Sequence, residues 1–185
     1  MSLSDDLNRI AAAAAALAPE GTSLTAVLAA EPATGVRGYL CAFEAADAGR
    51  SWAVLDERGR PVTDRRELRD VVSIAALCEI AEESAFGGDL DELGEQLVAL
   101  RLTENPPGVD EAEEAVRALQ RTIGSPPHLA TPARLDELGA ATRRLEQSLD
   151  PVAPSPFTAA LKSSQATVEE LLQEVESAYL VPLEA

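Results

Sequence analysis

Apolar residues recur at helical spacing along the first stretch of the chain. The stripe comprises Leu3, Leu7, Ile10, Ala14 and Leu17. Steps of three or four residues place such side chains on one face of a helix. Ser4 is of a type that caps helix N-termini, and Pro19 is of a type that ends helices. The sequence therefore predicts an amphipathic helix from about Ser4 to Ala18, with Ser4 as its N-cap.

Short runs rich in β-branched and aromatic residues replace the helical pattern between residues 23 and 62. We interpret Ala26–Ala30, Val36–Glu44 and Ser51–Asp56 as strands, because turn-forming residues separate them. Short connections between consecutive strands favour antiparallel pairing, so the sequence predicts a small three-stranded antiparallel meander. A sheet of this size needs helices packed on one face to be stable.

Helical patterns follow one another from residue 63 onward. The first, over about Asp64–Ser84, is apolar almost all round, which is typical of a central, buried helix. Further helices are predicted to begin near Asp89, Asp110 and Thr131. The last helical region extends to about Tyr179, and we interpret it as either one helix or two.

Together these elements predict the fold class. We expect an α+β, helix-dominated protein with an N-terminal helix, a three-stranded antiparallel meander and then a bundle of about five helices. A chain of 185 residues is long enough to bury one core of ordinary size. We therefore predict a single domain over residues 1–185, with the first helix and the meander in 1–62 and the helical bundle in 63–185.

Two of the predicted helices carry leucine stripes, with a third helix between them. The stripes comprise Leu90, Leu93, Leu97 and Leu100 in one helix, and Leu135, Leu138, Leu145 and Leu149 in the other. Each stripe fits either the intramolecular core or a seam between two copies, since symmetric pairing commonly covers a leftover apolar strip. Self-association as a dimer is therefore one prediction. In the helix between them, Asp110 and Glu113 have the spacing of a capping box.

The composition adds a strong acidic excess to this picture. The chain has 32 Asp+Glu residues and 15 Lys+Arg residues, which gives a formal net charge of -17 at pH 7. Such a charge repels phosphate backbones and anionic lipid headgroups. No apolar run approaches the length that spans a bilayer. We expect neither nucleic acid nor a membrane as a partner.

Scarce residue types exclude several kinds of enzyme. His128 is the single histidine and Lys162 the single lysine, so a multi-histidine zinc site within one chain is impossible. No nucleophile is recognisable near His128, and we therefore predict no catalytic residue and no cofactor-binding residue. Cys41 and Cys78 lack the dense spacing of a disulfide framework. We interpret them as reduced core thiols, which favours a cytoplasmic location.

One carboxylate cluster has the spacing of a divalent-cation site. Glu79 lies one helical turn from both Glu82 and Glu83 on the predicted central helix, and Mg²⁺ or Mn²⁺ prefers carboxylate oxygens. A metal-dependent enzyme or small-ligand-binding protein that uses these three glutamates is therefore an alternative function. The competing interpretation is a solvated helix face, since like charges at this spacing also arise by chance in an acidic chain.

Protein association is the function that these observations predict. The sequence carries no motif that identifies a family, and it predicts a non-enzymatic, acidic, cytoplasmic protein that binds a protein partner or a second copy of itself. The one local concentration of basic residues comprises Arg58, Arg60, Arg65, Arg66 and Arg69. We interpret it as salt-bridged surface near the start of the central helix, with an anionic ligand or an acidic partner as the alternative.

Overall fold

The computed structural model describes residues 1–47, 49–86, 89–152 and 157–184, without the side chains of residues 84–86, 89 and 157–166. The helices of this part are α1 (Leu3–Leu17), α2 (Arg65–Phe86), α3 (Asp89–Thr103), α4 (Val109–Ile123), α5 (Pro132–Leu149) and α6 (Phe157–Ser177). Its strands are β1 (Thr22–Ala30), β2 (Gly38–Ala45), β3 (Arg50–Leu55) and β4 (Leu129–Ala130). None of the described helices is long and apolar enough to cross a membrane.

The prediction of an α+β, helix-dominated fold is confirmed, but the predicted three-stranded antiparallel sheet is wrong. The sheet is mixed and its four strands lie in the order β3-β2-β1-β4. β1 pairs antiparallel with β2, and β2 with β3, whereas β4 pairs parallel with Ala29 and Ala30 of β1. A strand of two residues is too short to show an alternating pattern, so β4 has no signature in the sequence.

The chain divides into two compact units. The first comprises Met1–Leu77, Pro127–Pro132 and Ala166–Ala185 and contains the sheet, while the second comprises Cys78–Pro126 and Ala133–Gln165. Both α2 and α6 contribute residues to each unit. Each unit is therefore assembled from separate stretches of chain. The single domain expected over residues 1–185 stays a prediction.

Helix α1 covers one face of the sheet in the first unit. Ile10 and Ala14 are fully buried in a cluster that includes Tyr39, Cys41 and Phe43 of β2. Alternation along a strand places these three side chains on the same face. Burying a large apolar side chain contributes about 1.5–3 kcal/mol, so this contact is a major source of stability for the sheet.

Helix α2 approaches β2 at very short range. A Cβ atom added at Gly38 of β2 would stand 2.6 Å from Cγ2 of Val71 in α2. Only a residue without a side chain permits this approach. Every residue of β2 from Gly38 to Phe43 is buried. The side chains of α2 that are buried in this unit are Leu68, Val71, Val72, Ile74, Ala75 and Ala76, which agrees with the predicted central, buried helix.

Residues 178–180 cover the outer edge of β3. The amide and the carbonyl of Trp52 bond to the backbone of this segment at 3.0 and 2.9 Å. The phenol of Tyr179 accepts from the Val54 amide at 2.9 Å and donates to the carbonyl oxygen of Val62 at 2.6 Å. Open strand edges invite pairing with other chains. These bonds therefore protect the outer edge of β3, for which the sequence pattern predicts no neighbouring segment.

The N-cap of α1 is Ser2, and the prediction of Ser4 is wrong. The Asp5 amide donates to Ser2 Oγ at 3.2 Å, while the Ser2 amide donates to Asp5 Oδ2 at 3.0 Å. This reciprocal capping box needs an acceptor side chain three residues after the cap. Ser4 would place the apolar Leu7 there. The hydrogen bonds from Ser2 also lower the pKa of Asp5.

Leucine stripes form the core of the second unit. The buried cluster comprises Leu90, Leu97, Val109, Ala112, Ala115, Val116, Leu119, Leu145 and Leu149. Leu93 and Leu100 of α3 pack against this cluster, and Leu138 of α5 is fully buried. These stripe residues thus belong to the intramolecular core. They do not supply a seam for a dimer, and self-association stays a prediction that needs another surface.

Gly38→Ala is expected to lower the free energy of unfolding by about 1–3 kcal/mol, because the added methyl group overlaps Val71 in a packed core. Gly94→Ala in α3 is the matched control. There a Cβ atom would meet Val116 at an ordinary 3.6 Å, and alanine is the better helix former by about 0.5–1 kcal/mol. Urea unfolding measures both changes. Wild-type stability in Gly38→Ala would contradict the close approach of β2 and α2.

Tyr179→Phe is expected to destabilise the protein by about 1–2 kcal/mol at neutral pH, because the Val54 amide loses its acceptor. Burial also raises the pKa of Tyr179 to about 12. The unfolded chain releases this proton above about pH 10 and the folded chain retains it, so stability falls between about pH 10 and pH 12. Unfolding free energies should fall less steeply across this range in Tyr179→Phe. Equal slopes would contradict the burial of the phenol.

Candidate functional site

A groove with a volume of about 610 Å³ lies between α3 and α4 in the second unit. Its α3 side is lined by Asp91, Gly94, Glu95, Val98, Ala99 and Leu102. Its α4 side is lined by Glu113, Val116, Arg117 and Gln120. Neighbouring members of each set are mostly three or four positions apart, which places each set on a single helix face. The groove is therefore bounded by one continuous face of each helix.

Helix α3 is apolar on two faces. Leu90 and Leu97 are buried in the core of the unit, whereas Val98 and Leu102 line the groove on a different side of the helix. Leu102 is 73% exposed. A surface helix ordinarily has a polar outer face. Helix α3 therefore presents to solvent an apolar surface that a further polypeptide could cover.

A buried carboxylate connects the two helices that form the groove. The Glu113 side chain is 7% exposed. Its Oε1 accepts from Arg101 Nε of α3 at 2.7 Å, and its Oε2 accepts from Arg117 Nη2 of α4 at 3.3 Å. The hydrogen bond to Glu113 raises the pKa of Arg101. Burying a carboxylate is costly unless its charge is matched, and here two guanidinium groups match it.

The prediction that Glu113 completes a capping box with Asp110 is wrong. Helix α4 begins at Val109, and its N-cap is Gly108, which has a φ of 91° and makes no side-chain capping bond. Glu113 instead bonds to Arg101, which lies in another helix. Local spacing cannot reveal a partner of this kind, because the two residues meet only when α3 and α4 pack together.

Two further carboxylates lie along the groove. Asp91 Oδ1 accepts from Gln120 Nε2 at 2.8 Å, which joins α3 to α4 a second time. Glu95 is exposed. Among the described residues, no ion pair compensates Asp91 or Glu95. Asp91 and Glu95 are thus the exposed carboxylates of the lining and form its acidic rim, whereas Arg101 and Arg117 match the charge of Glu113.

The glutamates of the predicted metal site lie towards the end of α2. Arg134 Nε donates to Glu82 Oε1 at 3.0 Å, and Arg134 also donates to carbonyl oxygens in the last turn of α4. Glu79 and Glu83 are exposed. Within the described part of the chain, no group of three or more His, Cys, Asp or Glu residues is placed to hold a metal ion. The site at Glu79, Glu82 and Glu83 stays a prediction.

The two cysteines are core residues, as the sequence predicts. Cys41 and Cys78 are both buried thiols. Burial raises the pKa of Cys41 to about 12, so this thiol stays protonated at neutral pH and is a poor nucleophile. His128 is partly buried in the stretch between α4 and β4. The side chain of Lys162 lies outside the described residues.

Three members of the arginine group form ion pairs in the first unit. Arg60 pairs with Asp56 at 2.9 Å. Arg65 and Arg69 both pair with Glu176 of α6, at 2.9 and 2.8 Å, and thereby tie the start of α2 to α6. A second concavity of about 390 Å³ lies beside Arg65 and Glu176. Since these two charges already neutralise each other, this concavity offers less for recognition than the groove.

Sequence reasoning missed the groove between α3 and α4. The signal that could have found it is the position of Val98 and Leu102, which fall outside the leucine stripe of the same helix. Extra apolar residues of this kind also fit a deeply buried helix. The exposure of Leu102 decides between these two interpretations, and exposure depends on how the helices pack.

Comparison with known proteins finds no match to the chain, whether with protein-family models, with curated proteins or with solved structures. The residues of the groove and their geometry are therefore the basis on which we infer a function.

Glu113→Gln is expected to lower the free energy of unfolding by about 1–3 kcal/mol, because buried hydrogen bonds to a charged carboxylate are lost. Glu114→Gln, at the next position of α4, is the matched control. Glu114 pairs with Arg121 at 2.8 Å on the surface, where solvent screens an ion pair and its contribution to stability is small. Urea unfolding compares the two variants. Equal effects would show that Glu113 does not anchor α3 to α4.

Proposed function

We propose that this protein acts by non-covalent association with another protein molecule, and that it does so as an acidic cytoplasmic protein without catalytic activity. The exposed apolar face of α3 is the observation that supports this proposal. Leu102 is 73% exposed and lies with Val98 and Ala99 along the groove. Removing such apolar surface from water is favourable.

A protein segment fits the groove better than a small substrate does. Small-molecule sites usually enclose their ligand and direct a few polar groups at it. Here Asp91 and Glu113 bond to other side chains of the second unit, while Ala99 and Leu102 are exposed. Recognition of a helix in a groove needs apolar surface along helix faces rather than convergent polar groups, and the groove offers such surface.

The metal-dependent alternative has less support. It requires Glu79, Glu82 and Glu83 to converge on one cation, but Glu82 already forms an ion pair with Arg134. Arg134 in turn bonds to the end of α4, so Glu82 has a structural role in the second unit. A cation at this place would have to compete with a guanidinium group. Association through the groove requires no existing bond to break.

Leu102→Cys labelled with a benzophenone maleimide is expected to form a light-dependent adduct with the partner protein. Cys41 and Cys78 are buried, so the label attaches at position 102 in the folded chain. The labelled protein is illuminated in an extract of the cells that make it, and adducts are resolved by electrophoresis and mass spectrometry. Unlabelled wild-type protein should compete the adduct away, because both proteins present the same groove.

Ala140→Cys carrying the same label is the matched control, since Ala140 is exposed on α5 in the same unit and does not line the groove. A competed adduct from position 102, with none from position 140, supports association through the groove. An adduct between two copies of the chain supports self-association through the same surface. Failure to find a competed adduct, or equal adducts from both positions, would contradict the proposal.

A further inference from the structure

We propose that the occupant of the groove between α3 and α4 is a basic amphipathic helix of the partner protein, with aliphatic side chains on one face and Lys or Arg beside them. This inference rests on the proposed function, because it names the chemistry of the segment that the groove binds. Three observations support it: the spacing of the apolar residues in the groove, the negative charge of its rim, and the intramolecular ion pairs that engage most of the chain's own arginines.

The apolar residues of the groove have the spacing of a helix-binding surface. Val98 and Leu102 stand one turn apart on the α3 side of the groove, and the exposed Ala99 lies on the same side. Gly94 has no side chain on this side of α3, and an added Cβ atom would meet Cγ1 of Val116 at an ordinary 3.6 Å. A groove with such apolar residues between two packed helices can accommodate a third helix. A helix with apolar anchors three, four and seven residues apart fills it.

The charge of the rim selects among the helices that would fit by shape. Asp91 and Glu95 line the groove without an ion-pair partner among the described residues. An acidic helix would be repelled by them, and a neutral helix would remove water from them without supplying a compensating charge. Lys or Arg residues at the margins of the apolar face compensate these carboxylates. The partner helix is therefore basic.

The chain's own cations are largely occupied by intramolecular bonds. In the described part of the chain, the arginines that form ion pairs are Arg9, Arg37, Arg50, Arg60, Arg65, Arg69, Arg101, Arg117, Arg121 and Arg134. The formal net charge of the whole chain is -17 at pH 7. A second copy carries the same charge and is repelled at long range, whereas a cationic partner is attracted.

Three fluorescent synthetic peptides of equal length test this inference. The first is a helix former with leucines three or four residues apart and lysines at the remaining positions. The second replaces each lysine with glutamate. The third keeps the composition of the first but distributes its leucines around the helix. Fluorescence anisotropy measures binding of each peptide to the full chain at low and at physiological ionic strength.

Leu102→Glu separates binding in the groove from general attraction to an acidic surface. It removes an apolar anchor and adds a negative charge, so binding of the first peptide in the groove should weaken about tenfold or more, whereas binding by charge alone should strengthen. Ala140→Glu adds the same charge at an exposed site of α5 outside the groove lining. It should leave the affinity within about twofold of the wild-type value. Circular dichroism checks that both variants are folded.

The expected result is preferential binding of the first peptide that is lost in Leu102→Glu and kept in Ala140→Glu. Equal binding of the first and third peptides, or equal effects of the two substitutions, would overturn the inference, because net charge alone would then explain binding. Preference for the glutamate peptide, or no binding of any peptide, would also overturn it. The proposed function would still be judged separately, by crosslinking from position 102.

Discussion

The burial of β2 on both faces is the constraint on which the first unit depends. Strands that face solvent on one side alternate apolar and polar residues, but β2 places apolar or small residues at every position from Gly38 to Phe43. One face needs the α1 residues Ile10 and Ala14, and the backbone at Gly38 must admit Val71 of α2. Because both contacts involve the same strand, neither helix can shift without exposing part of β2.

The edges of the sheet are completed by segments that are distant in sequence. Residues 129–130 pair with the end of β1, and residues 178–180 bond to Trp52 of β3. Such long-range pairing carries a larger loop-closure cost than the hairpins of the meander do. The hydrogen bond that the Tyr179 phenol accepts from the Val54 amide and the one that it donates to the Val62 carbonyl oxygen offset part of that cost. The first unit is therefore complete only when three separate stretches of the chain have come together.

Much of the fold follows from local patterns, and the remainder depends on contacts between elements. In the described part of the chain, apolar periodicity, proline and glycine suffice to predict helices α1 to α5 and strands β1 to β3 to within a few residues, while they leave open whether the last helical region is one helix or two. Strand β4 and the segment around Tyr179 cannot be predicted from their own residues. Each forms its backbone hydrogen bonds only because a strand that is distant in sequence lies beside it. The candidate groove is missed for the same reason. Glu113 has the spacing of a capping residue, but in the fold its Oε1 accepts a hydrogen bond from Arg101 Nε of α3 at 2.7 Å.

Glu113 and Glu95 both line the groove between α3 and α4, but they differ in burial and therefore in physical effect. Glu113 is buried and neutralised by two arginines, so it holds α3 against α4 and contributes little field outside. Glu95 is exposed on the same groove, so its field extends into the solvent. At physiological ionic strength, dissolved salt largely screens the interaction between exposed charges that lie more than about 8 Å apart, but it screens buried pairs much less. Changes in ionic strength therefore act on the exposed rim charges more than on the Glu113 network that holds α3 against α4.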